Sequence, residues 1–164
     1  DTRDKGADEI MDFGKLQADI IKNIYKANLK GTVPDYEIYK VAIIDGHEYI
    51  PVAYKRISVF LIPANSHMLS FELAKAGNTG SIIEKLFDKV NESEQLTDIK
   101  MIKLFGDKQL KEFKTKKDKP IFVDEKLLTP FGKDVRFFAN ENSEIVYIKD
   151  ASRYLGLVMA TKIK

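Results

Sequence analysis

The apolar positions change their period along the chain, and each change marks a new element. From Ala7 to Lys30, the residues Ile10, Phe13, Leu16, Ile20, Ile24 and Ala27 recur at spacings of three and four, the stripe of an amphipathic helix. Ile21 and Tyr25 widen that stripe. Lys22, Lys26 and Lys30 lie toward its C-terminal end, where cations suit the helix dipole. Gly31 is the expected residue past the end, and Pro34 follows as a stop. Gly14 inside the helix costs about 1 kcal/mol against Ala, so a small residue there marks a candidate close contact with another helix or a sheet. Asp1 to Gly6 is a polar arm.

Beyond Pro34 the pattern becomes that of β-strands. Tyr36 to Ile44, His47 to Ile62 and His67 to Leu73 are β-rich runs separated by Asp45-Gly46 and by Pro63 to Ser66. Asp-Gly between two such runs predicts a hairpin, because a type I′ turn needs positive φ at both central residues. The run from His47 to Ile62 exceeds one typical strand and divides near Tyr54-Lys55-Arg56. Pro51 within it predicts an edge position or a bulge.

Gly77 to Gly80 is a loop. Ser81 to Glu84 matches a capping box, in which Ser81 accepts from the Glu84 amide and Glu84 returns a bond. Ile82, Ile83, Leu86, Phe87 and Val90 then give a short helix ending near Asn91. Ile99 to Leu104 is open to two readings: alternation with lysines favours a strand, and spacing by three from Leu96 favours a helix. The alternation is the better guide. Lys108 to Lys114 reads as a short helix with Leu110 and Phe113 inward. The last strands are Pro120 to Asp124, Val135 to Ala139, Ile145 to Lys149 and Leu155 to Ile163, with turns at Thr129 to Gly132 and Asn140 to Ser143.

These elements predict one α+β domain spanning residues 1–164. A long N-terminal helix (7–30) packs on a mostly antiparallel twisted sheet or partly closed barrel. A mixed helical segment (81–114) separates two β-rich blocks (36–73 and 120–163). The order argues against βαβ units and a Rossmann-type nucleotide site.

A chain of 164 residues, 44% hydrophobic and 32% charged, buries a core without disulfides. The absence of cysteine removes thiolate metal sites and cysteine nucleophiles and leaves the compartment undetermined. No apolar run approaches the roughly 18–20 residues of a membrane-spanning helix. A start at Asp1 fits a trimmed chain, a processed export product or a matured assembly protein.

Net charge is only +2, so any polyanion argument must be local. From Lys100 to Lys119 there are eight lysines against Asp107, Glu112 and Asp118. Phe105 and Phe113 are interleaved. Lys111, Lys114, Lys116 and Lys117 are the candidate contacts to a phosphate backbone, and are expected to be exposed. The segment holds no Arg, the usual donor to bases, and lysine-rich faces also serve solubility.

Other constellations are thinner. Asp45, His47 and His67 would make a two-histidine, one-carboxylate metal site if the strands bring them together. The spacing does not require this, and polar turns carry histidines regardless of function. Ser66-His67 near Asp45 lacks the geometry of a triad, and no nucleophile elbow is present. The glycines at 77–80 lack the Lys-Ser/Thr of a phosphate loop. Asp118, Asp124, Glu125 and Asp134 read as solvated surface; Asp124-Glu125-Lys126 lacks the residue that separates Glu from Lys in a nuclease core. No catalytic residue is assigned and no cofactor is expected.

The leading expectation is therefore a non-catalytic interaction or structural protein, a subunit of a larger assembly such as a virion or secretion component, with a protein partner or self-assembly. Tyr36, Tyr39, Tyr49 and Tyr54 are the candidate interface residues, since tyrosines are common at interfaces and also favour strands. A polyanion- or nucleic-acid-binding module built on Lys100 to Lys119 is the alternative, and a metal-dependent enzyme using His47 and His67 the third.

Overall fold

The computed structural model describes residues 10–66 and 78–163. The arm at 1–6, the first residues expected in the helix and the strand expected over His67 to Leu73 lie outside them. Two compact units emerge, one within Asp12–Asp88 and the other from Lys89 onward. The fold is α+β with mostly antiparallel, unclosed sheets.

The first unit opens with α1, Phe13–Lys30. Asp12 starts it: its backbone is extended, and its carboxylate accepts from the Lys15 amide at 2.9 Å. Gly31 ends it at φ 67°, and the Thr32 amide returns to the Ala27 carbonyl. Leu16, Gln17, Ile20 and Ala27 are buried, whereas Phe13 and Ile24 are half-buried. Ile21 and Tyr25 are exposed rather than part of the packed stripe, because a helix on a surface buries one face only. Among the described residues a Cβ at Gly14 would meet only the side chain of Asp12, so none of them makes the expected close contact there.

Strand β3, His47–Tyr54, organises the unit's sheet. It pairs antiparallel with β1, Tyr36–Ile38, with β2, Ala42–Ile44, and with β4, Ser58–Pro63. The single strand expected over Tyr36 to Ile44 is thus broken, and Pro51 explains where. The Tyr39 amide donates to the Pro51 carbonyl at 2.8 Å, so that carbonyl faces the β1 side. A residue's N–H and C=O point to the same neighbour in a strand, so the nitrogen without hydrogen faces the gap between β1 and β2. The Lys40 amide turns instead to the Asn78 carbonyl at 2.8 Å. Asp45 and Gly46 form the predicted turn at φ 54° and 78°, with Ile44 opposite His47. Lys55 and Arg56 make a second left-handed turn into the fully buried β4.

Helix α2, Ser81–Phe87, departs from the predicted capping box. Gly80 is its N-cap and no side chain caps it; Ser81 is already its first residue. Position 80 must be small, since a Cβ there would lie 2.4 Å from the Val41 carbonyl oxygen. Glu84 does not reach back along its own helix. Its Oε2 accepts from the Ile43 amide at 2.7 Å, tying α2 to β2.

The second unit contains two antiparallel sheets. Strands β5 (Val90–Gln95), β9 (Arg136–Asn140), β10 (Ile145–Lys149) and β11 (Tyr154–Met159) form one, in the order β11-β10-β9-β5. Strands β6 (Thr97–Phe105), β7 (Lys108–Lys114) and β8 (Pro120–Asp124) form the other. Val90 starts a strand instead of ending a helix. Lys108–Lys114 is a strand too, correcting the helix expected there. Leu110 and Phe113 are both fully buried, as a helical spacing of three suggested. On a strand the same spacing puts them on opposite faces, so β7 is covered on both sides. The Phe113 ring meets Phe137 of β9 with centroids 4.6 Å apart. Helix α3, Glu125–Leu128, and a 3-10 turn, Thr129–Phe131, follow β8 and bury Leu128 and Phe131. In the other sheet burial of Tyr147 pushes its hydroxyl up to about 12.

Candidate functional site

The lysine segment builds the β6–β7 hairpin and the turn that follows it. Gly106-Asp107 closes the hairpin, with the positive φ of 63° on the glycine. A bulge interrupts β6 between Asp98 and Met101, where Lys100 has φ 59°. In the turn from β7 to β8 the Thr115 amide donates to the Lys119 carbonyl and the Lys119 amide donates to the Thr115 hydroxyl, which leaves Lys116 and Lys117 exposed.

Lys111 and Lys114 are not exposed as expected. Their side chains are 26% and 28% accessible, and each is ion-paired, Lys111 to Asp98 at 2.9 Å and Lys114 to Glu112 at 3.3 Å. The strand explains this, because cross-strand pairing sets Asp98 opposite Phe113, beside Lys111 on the same face. A helix would have turned those lysines to solvent. Phe113 is core, and of the two interleaved aromatics only Phe105 is exposed.

A cleft of about 460 Å³ opens beside Lys111. Lys100, Lys111, Lys133 and Arg136 line it together with one carboxylate, Asp98. Its apolar lining includes Leu96, Leu128 and Phe137. Burial pushes the Asp98 carboxyl up, but hydrogen bonds from Lys111 and the Lys100 amide, with both ammonium charges, outweigh that and hold it below its ordinary value. Arg136 donates through Nη2 to the Asp150 carbonyl at 3.1 Å, and its guanidinium lies 5.7 Å from the Phe138 ring. Sequence reasoning found Lys111 but missed Lys133 and Arg136, which lie outside the lysine segment; only the pairing of distant strands brings them near it.

The four tyrosines do not form one surface. Tyr36 and Tyr54 face each other across β1 and β3, rings 5.1 Å apart and inclined at 52°. Burial, then Tyr54, Asp19 and Asp35, push the Tyr36 hydroxyl up. Tyr39 is half-buried beside Glu37, and its hydroxyl is likewise raised, first by burial. Tyr49 is a core residue, which removes it from any interface. Asp45 and His47 stand exposed at the hairpin turn, and His67 lies outside the described residues. Among the described residues no group of three or more His, Cys, Asp or Glu side chains could hold a metal ion.

The outward side of α1 carries a second apolar row. Ile21, Tyr25 and Leu29 recur every four residues and are exposed, Tyr25 at 62% and Leu29 at 70%. Lys22, Lys26 and Lys30 form the neighbouring exposed row. The signal was present in the sequence as an apolar stripe too wide for one buried face. No described helix is long and apolar enough to cross a membrane. No family model, curated protein or solved structure matches the chain.

Proposed function

We propose that this chain is a non-catalytic interaction protein, a subunit of a larger assembly, that docks through the outer face of α1. One observation carries the reading: Ile21, Tyr25 and Leu29 form an exposed apolar row at helical spacing, in addition to the row that the helix buries. Exposed apolar side chains scattered singly need no explanation, but an aligned row rimmed by charge marks a contact surface. The rim here is cationic, through Lys22, Lys26 and Lys30. The partner this fits is a protein helix with an apolar stripe beside acidic residues.

The test is a photocrosslinking residue placed at position 29 of the full chain in its native cells, with light scattering of the purified protein alongside. A discrete adduct to one acidic-helix protein, lost in Tyr25→Asp, is the expected result. A self-adduct with concentration-dependent mass assigns the same face to self-assembly. A monomer without an adduct, or an adduct unaffected by Tyr25→Asp, overturns the proposal. Thermal melts check that Tyr25→Asp leaves the fold intact, since an exposed substitution is expected to cost no more than about 0.5 kcal/mol.

A further inference from the structure

We propose that the cleft between the β6–β7 hairpin and the start of β9 is a binding site for a small organic anion, a compact apolar body bearing a phosphate or carboxylate group. Its cations come from separate parts of the second unit: Lys100 at the β6 bulge, Lys111 on β7 and Lys133 after the 3-10 turn. Asp98 is the one carboxylate lining the cleft. Both of its oxygens are already engaged, Oδ1 by the Lys100 amide at 2.9 Å and Oδ2 by Lys111 at 2.9 Å and Lys100 at 3.5 Å. It therefore compensates the lysines of the hairpin and leaves Lys133 without a countercharge in the cleft lining. The Arg136 guanidinium is not among these cations: it sits by the Phe138 ring and donates to the Asp150 carbonyl, on the face of β9 opposite Phe137.

The apolar lining shapes the rest of the ligand. Leu96 and Leu128 are buried beneath the cleft, and Phe137, held from behind by Phe113, offers an aromatic side. A cleft of about 460 Å³ falls within the roughly 300–1,000 Å³ typical of small-molecule sites, where apolar walls and a few placed charges act together. The cations also converge on one cleft rather than along a track: Lys114 is bound to Glu112, and Lys116 and Lys117 do not line it. That geometry favours a small anion over a nucleic-acid strand, which rewards a continuous basic groove.

The experiment titrates the full chain with 1-naphthyl phosphate, 1-naphthoate, inorganic phosphate and a short oligothymidylate, by calorimetry and amide NMR. At least one naphthyl anion is expected to bind with Kd below about 1 mM and to shift the amides of Leu96, Lys111 and Phe137. The tighter of the two identifies the anionic group, and inorganic phosphate, lacking the apolar body, should bind about tenfold more weakly. Lys133→Gln should weaken binding about tenfold, and the reversal Lys133→Glu, at an exposed residue, should weaken it further with the melting curve unchanged. Absence of saturable shifts, binding indifferent to these variants, or oligothymidylate shifting those amides while the naphthyl anions do not, would each overturn the assignment.

Discussion

Phe113 of β7 and Phe137 of β9 meet ring to ring with centroids 4.6 Å apart and planes inclined at 50°. This contact joins the two sheets of the second unit, since β7 is the middle strand of one and β9 an inner strand of the other. It also sets the wall of the basic cleft, because Phe137 lines that cleft. Phe113 is fully buried, so Phe113→Ala should cost about 3–5 kcal/mol, read as a lower urea midpoint. Phe113→Leu should recover most of that loss. Equal midpoints for wild type and Phe113→Ala would show that the sheets do not pack through this ring.

The turn at Asp45-Gly46 makes a sharper demand on one residue. Gly46 has φ 78°, a conformation that a β-branched residue resists. Gly46→Val should destabilise by about 1–3 kcal/mol, whereas Gly46→Asn, which tolerates left-handed backbone, should cost markedly less. Among the described residues space is not the issue, as none lies within 4 Å of an added Cβ. Urea denaturation of the two variants separates the conformational cost from any steric one.

Gly80 presents the opposite case. Its backbone is ordinary, at φ −65°, but a Cβ would fall 2.4 Å from the Val41 carbonyl oxygen and 2.7 Å from that of Lys40. Gly80→Ala should therefore destabilise by about 1–3 kcal/mol despite the better helix propensity of Ala. Glu84→Ala should weaken the same junction, because it orphans the Ile43 amide that Glu84 accepts from. Hydrogen exchange at Ile43 should accelerate in both variants, and an unchanged rate would refute the shared junction.

Asp98 predicts a pH dependence. Its folded carboxyl titrates below the ordinary 3.8, so its contribution to stability is complete above that value. The contribution is lost as pH falls through the ordinary value toward the depressed folded one. Asp150 acts in the same direction: burial raises it, but the amides of Ser152 and Arg153 outweigh that. Asp98→Asn should flatten the acid limb of the stability curve and lower stability at neutral pH, measured as urea midpoints from neutral pH downward. A limb as steep in Asp98→Asn as in wild type would place the acid sensitivity elsewhere.

Local chemistry was legible wherever one residue type carried the message. Asp45-Gly46 marked its hairpin and Gly31 closed α1, whereas Pro51, expected at an edge or a bulge, lies inside β3 with strands on both sides. Leu16, Ile20 and Ala27 announced a buried helical face. The α+β class followed from these signals together, because turn and cap preferences act within a few residues and need no knowledge of the rest of the chain.

What sequence alone could not decide was the partner of each short segment. Lys108–Lys114 has helical spacing in Leu110 and Phe113, and it became a strand because β6 and β8 pair with its two edges while side chains cover both of its faces. Ser81 and Glu84 have the pattern of a capping box, yet Glu84 bonds the Ile43 amide, 41 residues away in sequence. The same holds for the basic cleft: Lys111 carried a visible signal as part of a lysine run, whereas Lys133 and Arg136 became its neighbours only through the packing of β7 against β9. Tertiary structure decided these points because a backbone amide or a side chain takes the best partner within reach, and reach is set by the folded sheets rather than by distance along the chain.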